Sequence, residues 1–118
     1  PHRFIINEKE VEESLKKKGF TSLTLSEYSF SEQINLFYNA EYVVGLHGAG
    51  FANIIFCKPN TKILEFKSLT AGDIIKNLAI QNKLTYKDIS SKNKLFIYNN
   101  QSGDIEVDIK LLNSILNF

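Results

Sequence analysis

The chain has 118 residues, the length of a single domain, and its 43% hydrophobic residues are enough to form a core. Its net charge of +1 gives no electrostatic basis for binding nucleic acid or an acidic membrane surface. The only cysteine, Cys57, excludes an internal disulfide, and no apolar run approaches the ~20 residues of a membrane span. We therefore expect a cytoplasmic protein. Since the chain contains no methionine, we also expect it to be a piece of a longer one.

Strand-like and helix-like patterns alternate along the chain. The strand-like runs are residues 3–6, 20–25, 41–46, 61–66 and 84–89. The predicted helices begin at Asn7, Ser29, Phe51 and Asp73, and a last one runs from Asp108 to Asn117. Residues 95–98 and 104–107 flank a polar turn and predict a small hairpin. This alternation predicts an α/β fold, a Rossmann-like parallel sheet flanked by helices in one domain, residues 1–118.

Two of the helices have specific end signals. Asn7 is a good N-cap, Glu8 begins an acidic first turn, Lys16–Lys18 fill the last turn and Gly19 is the expected C-cap. Ser29 precedes Glu32 by three residues, which is typical of a capping box. These signals fix the starts of the first two helices.

Residues 43–53, with the sequence VVGLHGAGFAN, hold most of the candidate chemistry. An apolar strand breaks into a glycine turn, and an apolar, helix-compatible run follows, which is an arrangement that binds phosphate. Glycine permits positive φ and close approach, so we expect the N–H groups of Gly48, Ala49 and Gly50 to face an anion. The alternative is a tight turn whose glycines serve only packing.

Three side chains that can carry charge stand out as candidate site residues, although Arg3 lies at the amino end of its predicted strand, opposite the expected ligand side. His47 lies in the turn, at the carboxyl end of a strand where ligands of open α/β sheets bind; a structural role is the alternative. Glu65 comes 20 residues after Gly45, where an acid can bind ribose hydroxyls; the alternative is an exposed strand-end carboxylate paired with Lys67. Arg3, the only arginine, suits phosphate by its fork geometry, but an ion pair with a helix acid is equally open.

The sequence shows no metal-binding pattern. Asp104-x-Glu106-x-Asp108 alternates like the solvated face of an edge strand, and no Asp-x-Asp pair follows a strand in a loop. His2 and His47 are the only histidines, and no Cys/His cluster has ligand spacing. We therefore predict neither a metal nor another cofactor.

Several motifs occur in a fixed order over residues 3–66 and together resemble glycosyltransferase family 61. They are Arg3-x-Ile5-x-Asn7-Glu8, Gly19-Phe20, Ser31-Glu32-Gln33-x-x-Leu36-Phe37, Ala40, His47-Gly48-Ala49-Gly50-x-x-Asn53-x-x-Phe56 and Ile63-Leu64-Glu65. The His-Gly-Ala-Gly-x-x-Asn block is the most specific of them, and the series is stronger than any single part.

The resemblance implies an enzyme of the GT-B type, with two Rossmann-like lobes, of which this chain is most of the C-terminal, donor-binding lobe. It implies an inverting transfer from a nucleotide sugar, commonly linked to UDP, without a bound metal. The acceptor would be a glycan or lipid-linked glycan held through the N-terminal lobe, as in bacterial capsular or surface polysaccharide synthesis. Without that lobe, we expect the exposed apolar face to make the piece self-associate.

The same resemblance assigns site residues. The residues implied at the donor diphosphate are His47, Gly48, Ala49, Gly50 and Asn53, with Glu65 on the ribose or base side and Arg3 within reach of the diphosphate. Asn7, Glu8 and Gln33 are implied as residues that support the site. From its place in the glycine turn we expect His47 to stabilise the leaving diphosphate. The alternative function is a non-catalytic α/β module that binds a nucleotide, a phosphate or a protein partner.

Overall fold

The computed structural model describes residues 5–68, 71–90 and 105–117, and the chain divides into two compact units. The sheet unit comprises Thr24–Glu65 and Gly72–Asp88, and the terminal unit comprises Pro1–Leu23, Phe66–Ala71 and Ile89–Phe118. The helices are α1 (Glu8–Lys17), α2 (Phe30–Tyr38), α3 (Ile74–Gln81) and α4 (Ile109–Ile115), and the strands are β1 (Tyr42–Leu46), β2 (Lys62–Lys67) and β3 (Thr85–Ser90). Two 3₁₀ segments, Leu25–Glu27 and Ala49–Phe56, complete the described elements.

The three strands form a parallel sheet in the order β1-β2-β3. The 3₁₀ segment Ala49–Phe56 lies between β1 and β2 in the chain, and α3 lies between β2 and β3. At the start of the sheet the Lys62 N–H donates to the Glu41 carbonyl (3.1 Å), and the Thr85 N–H donates to the Thr61 carbonyl (3.0 Å). Since all three strands begin at this edge, His47 lies at the opposite, carboxyl edge. The predicted α/β fold with a parallel sheet flanked by helices is confirmed.

The core of the sheet unit lies against one face of this sheet. Residues of α2, α3 and the 3₁₀ segment Ala49–Phe56 meet Ile63 of β2, and the segment contacts both helices. The buried members are Phe37, Phe51, Ile54, Cys57, Ile63, Ile75, Ala79 and Leu84. Side chains alternate along a strand, so Glu65 lies on the same face of β2 as Ile63. The sequence therefore places a carboxylate on the apolar side of the sheet.

The strand predicted over residues 20–25 is wrong. Phe20–Thr24 has no regular structure, and Leu25 begins a short 3₁₀ turn. The alternation is misleading because Leu23 is 45% exposed and therefore has no core to face. The Gln33 side-chain amide donates to the carbonyls of Leu25 (2.8 Å) and Tyr28 (3.1 Å), which stabilises the turn in place of a strand partner.

In the terminal unit, Ile5 forms an isolated parallel bridge with Ile105, while Ile6 lies in a turn. The predicted strand over residues 3–6 therefore reduces to one bridge in its described part, and residues 3–4 lie outside the described residues. The predicted hairpin also falls largely outside the described ranges. Residues 106–107 are not in a strand, so the edge strand expected for the acidic alternation is wrong there. Asp108 instead begins α4, and its side chain accepts from the Leu111 N–H (3.2 Å).

Asn7 occupies the predicted N-cap of α1, but its side chain does not cap the helix. Its amide pairs with the main chain of Val107: Nδ2 donates to the Val107 carbonyl (2.8 Å), and the Val107 N–H donates to Oδ1 (2.9 Å). A side-chain amide has the same donor and acceptor pair as a peptide group, so Asn7 adds one strand-like pairing beside the Ile5 bridge. α1 also contacts α4 in this unit.

The predicted stop after α1 and the predicted start of α2 are confirmed, whereas the helix predicted from Phe51 is a 3₁₀ segment that begins at Ala49. Gly19 has φ +91°, and its N–H donates to the Lys16 carbonyl (3.0 Å), which is the left-handed glycine stop expected after α1. At α2 the Ser29 N–H donates to Glu32 Oε1 (2.7 Å), and the Glu32 N–H donates to Ser29 Oγ (3.2 Å), which completes the capping box. Asp73 precedes α3 at its N-cap. Within the described ranges, no helix has the length and apolar character needed to cross a membrane.

Candidate active site

The glycine turn leads from β1 directly into the 3₁₀ segment Ala49–Phe56. Gly48 is extended (φ 169°, ψ 174°), and neither Gly45 nor Gly50 lies in the left-handed region. The positive φ that glycine permits is therefore not used at these three positions.

Packing explains one of these glycines. A Cβ at Gly45 would lie 3.1 Å from Cε1 of Phe51, a ring that is 6% exposed and belongs to the core. A Cβ at Gly50 would lie 3.4 Å from Leu25 Cδ1, which is an ordinary contact. The packing interpretation of the turn therefore holds for Gly45, while the space at Gly50 is available to a ligand or a small side chain.

The start of the 3₁₀ segment presents backbone donors. The first intrahelical bond is made by the Phe51 N–H to the Gly48 carbonyl (3.1 Å). The N–H groups of Ala49 and Gly50 precede that bond, so the helix itself supplies them with no acceptor. The segment is eight residues long, and its N-terminus carries partial positive charge. These N–H groups have the chemistry of an anion site, and the binding of an anion by Gly48, Ala49 and Gly50 stays a prediction.

His47 and Glu65 form a hydrogen-bonded pair beside this turn. His47 Nδ1 contacts Glu65 Oε2, and the side chains are 18% and 0% exposed. Glu65 is therefore not the exposed strand-end carboxylate of the alternative interpretation. A carboxylate on Nδ1 fixes the orientation of the imidazole ring.

The second oxygen of Glu65 also has a side-chain partner, which sequence reasoning missed. The Tyr86 hydroxyl of β3 donates to Glu65 Oε1 and lies 3.2 Å from Oδ2 of the exposed Asp88. Burial, and then the hydrogen bond to Glu65, raise the pKa of Tyr86 far above its usual value, so the phenol keeps its proton. Tyr86 and Asp88 share one face of β3 because they are two residues apart, but no pattern in the sequence indicates the contact of Tyr86 with Glu65 on β2.

Gln33 and Asn53, both implied by the resemblance, are brought together. Asn53 Nδ2 of the 3₁₀ segment donates to Gln33 Oε1 of α2 (2.9 Å). Because Gln33 also binds the carbonyls of Leu25 and Tyr28, one side chain connects α2, the neighbouring turn and the 3₁₀ segment. The Asn53 amide is thereby held in a fixed orientation, while the parts of Gln33 and Asn53 at a donor site stay predictions.

The remaining predicted residues lie elsewhere. Asn7 and Glu8 belong to the terminal unit, where Asn7 pairs with Val107 and Glu8 is exposed in the first turn of α1. Arg3 lies outside the described residues. The parts that these three residues would play at a donor site stay predictions. Within the described ranges, no group of three or more His, Cys, Asp or Glu side chains is placed to hold a metal ion.

Comparison with known proteins places the chain in a family. Residues 1–64 match the family model of Glycosyltransferase 61. The chain is similar to a beta-1,2-xylosyltransferase of Arabidopsis thaliana, with 35% identity over 78 residues that cover 55% of this chain and 15% of that protein. It is also similar to an EGF domain-specific O-linked N-acetylglucosamine transferase of Gallus gallus, with 25% identity over 100 residues, 80% of this chain and 19% of that protein. It spans less than a fifth of either relative, and on the family match it belongs to glycosyltransferase family 61.

Proposed function

We propose that this chain binds the donor of a glycosyltransferase that uses a nucleotide sugar. The observation that carries the proposal is the His47–Glu65 pair at the carboxyl end of β1, directly before the 3₁₀ segment. That edge of a parallel sheet is where α/β proteins bind ligands. Family membership and two glycosyltransferase relatives support the same reading.

The proposed chemistry places the leaving diphosphate at the turn. An acceptor hydroxyl attacks the anomeric carbon and gives its proton to a general base that we assign to the rest of the intact protein. The bond from that carbon to the diphosphate oxygen breaks, and negative charge develops on the diphosphate. His47 in its protonated form donates to that oxygen through the nitrogen that Glu65 does not contact. The N–H groups of Ala49 and Gly50 add further donors. Because these donors stabilise the negative charge more in the transition state than in the bound donor, they accelerate the transfer.

In this proposal, Glu65 acts through His47. A buried carboxylate carries a large desolvation cost, which is offset here by two hydrogen-bonding side chains. Its charge balances that of a protonated His47, so a cation can be kept at the turn without an uncompensated buried charge. Direct contact between Glu65 and the ribose, which the resemblance implies, stays a prediction.

The finer assignments rest on the family resemblance. We propose a UDP-linked donor, inversion at the anomeric carbon without a metal, and a GT-B architecture in which the rest of the intact protein binds a glycan or lipid-linked acceptor. A cytoplasmic role in bacterial capsular or surface polysaccharide synthesis is part of the same proposal. Self-association of the isolated piece stays a prediction.

The proposal is tested by calorimetric titration of the intact protein with UDP. Gly48→Val is the informative variant: valine adopts the extended backbone of Gly48 without strain, so a loss of binding reports lost space at the turn. Gly72→Val is the matched control, since a Cβ there meets no atom within 4 Å. We expect UDP to bind the wild type and the control but not Gly48→Val. Absence of binding in all three, or equal binding in all three, would contradict a diphosphate site at this turn.

A further inference from the structure

Tyr86 is the residue of the site that no sequence motif indicated. It lies on β3, whereas the family model ends at residue 64, so the family match gives it no role. Its hydroxyl donates to Glu65 Oε1, and the other oxygen of the same carboxylate contacts His47 Nδ1. Tyr86, Glu65 and His47 thus form a continuous chain of side chains across three neighbouring strands or their ends.

The burial of Glu65 makes the Tyr86 hydroxyl important. Glu65 is 0% exposed, so water cannot satisfy an oxygen that the protein leaves unpaired. With a donor on each oxygen, the carboxylate plane is fixed from both sides. Without the hydroxyl, Oε1 loses its side-chain donor. Rotation of the carboxylate then lets both oxygens share the N–H of His47, which reduces the cost of the unpaired oxygen. The orientation of the imidazole ring would then no longer be fixed by a single oxygen.

Asp88 is the competing partner. Its Oδ2 lies 3.2 Å from the Tyr86 oxygen, but Asp88 is exposed and Glu65 is buried. A phenol has one proton to donate. The hydrogen bond to the buried carboxylate is the stronger of the two, because the low local dielectric strengthens it while water screens the exposed one. The single proton of Tyr86 therefore serves Glu65.

We propose that Tyr86 is a positioning residue for glycosyl transfer: its hydroxyl holds Glu65 in the orientation that keeps His47 Nδ1 engaged and directs Nε2 to the leaving diphosphate. This inference rests on the proposed function of His47 at the donor. Tyr86 touches neither the donor nor the reacting atoms in this scheme, and it acts only through Glu65.

The first test reads the imidazole directly. ¹⁵N NMR of the histidines in the intact protein reports which ring nitrogen of His47 carries the proton in the neutral form. We expect one tautomer, with the proton on Nδ1, in the wild type and in Tyr38→Phe, which removes the hydroxyl of a 52%-exposed tyrosine outside the site. Tyr86→Phe keeps the ring that packs on the core, and we expect a mixture of tautomers. An unchanged single tautomer in Tyr86→Phe would overturn the proposal.

The second test reads the transfer reaction. In Tyr86→Phe we expect kcat to fall about tenfold, because His47 is no longer held towards the leaving diphosphate. KM for the nucleotide sugar should change less than about twofold, because Tyr86 does not touch the nucleotide sugar. Asp88→Asn is expected to match the wild type, and a loss in Asp88→Asn equal to that in Tyr86→Phe would show that Asp88, not Glu65, is the relevant partner.

Failure of the proposed function and failure of the positioning role give different results. A wild type that transfers no sugar refutes the proposed function, whereas an active wild type with an equally active Tyr86→Phe refutes the positioning role.

Discussion

Glu65 and His47, 18 residues apart in the chain, meet through Oε2 and Nδ1, and the carboxylate is wholly buried while the imidazole is 18% exposed. The pair thus has a protected side and an accessible side. Parallel β1 and β2 create this geometry, because the residue after β1 and the fourth residue of β2 come near the same edge. A buried carboxylate paired with a partly exposed imidazole suits a histidine that presents charge to a ligand.

Replacing the carboxylate should cost stability. In Glu65→Gln the amide places an NH₂ group opposite one of two existing donors, His47 or Tyr86. We expect the free energy of unfolding to fall by about 1–3 kcal/mol, the usual cost of a buried hydrogen bond left unmade. Glu27→Gln, at an exposed position, is the control and should change it by less than about 0.5 kcal/mol. Urea denaturation measures both, and equal effects would contradict the buried role of Glu65.

The two glycines that flank the turn should respond differently to alanine. Gly45→Ala places a methyl group 3.1 Å from the buried Phe51 ring, so we expect destabilisation of about 1–3 kcal/mol from overpacking. In Gly50→Ala the new Cβ makes an ordinary contact at 3.4 Å with Leu25, so we expect almost no change in the free energy of unfolding. Chemical denaturation of both variants checks the order. Equal stability of the two would show that Phe51 does not constrain Gly45.

The Gln33–Asn53 hydrogen bond should appear as a coupling. Gln33→Leu removes the acceptor of Asn53 and the donor to the Leu25 and Tyr28 carbonyls, and Asn53→Leu removes the other partner. We expect each single variant to be destabilised by about 1–2 kcal/mol. The double variant should lose less than the sum, because the shared bond is lost only once. Denaturation midpoints of the four proteins give the coupling, and strict additivity would mean that the two amides act independently.

Stability should fall in alkali. Burial raises the pKa of the Cys57 thiol to about 11 and that of Tyr42 to about 12, and it is the main cause of the raised pKa of Tyr86. Since these groups lose their protons at lower pH in the unfolded chain, the stabilisation is complete below the unfolded pKa of cysteine, about 8.5, and is lost as pH rises through the folded values. Urea titrations at pH 8, 9, 10 and 11 should show the decline beginning near pH 9.

The contribution of one group to that decline can be isolated. Cys57→Ala removes the thiol that titrates first, so the slope of unfolding free energy between about pH 9 and 11 should become shallower, whatever the absolute stability of the variant. Thr24→Ala, at an exposed position, is the control for a substitution that changes no titration. A slope in Cys57→Ala identical to that of the wild type would contradict a buried, protonated thiol.

Local signals predicted the elements that depend on local chemistry. The Ser29 and Glu32 capping box, the Gly19 stop and the apolar strands at β1 and β2 all follow from residues close together in the chain. His47 and Glu65 were chosen for their places at strand ends, and their contact follows once those strands pair. The family resemblance implies a donor site for both, and that role stays a prediction.

Other features depend on partners far apart in sequence. The Asn7 side chain hydrogen-bonds the main chain of Val107, 100 residues away, and does not cap α1. No pattern around Asn7 indicates this. Residues 20–25 alternate like a strand, but Leu23 is exposed while Leu25 packs against the core, so periodicity alone misled there. Tyr86 contacts Glu65 because β3 lies beside β2, and nothing in the sequence around Tyr86 indicates that neighbour. In each case the neighbour, not the residue type, decides the role.

The most direct test of the account is kcat for His47→Ala in the intact enzyme, measured with a nucleotide sugar and compared with wild type. If His47, held by Glu65, stabilises the charge on the leaving diphosphate, kcat should fall about 100-fold or more, as for loss of another preorganised donor to a developing anion. Turnover in His47→Ala equal to that of the wild type would contradict the central claim and place the leaving group elsewhere.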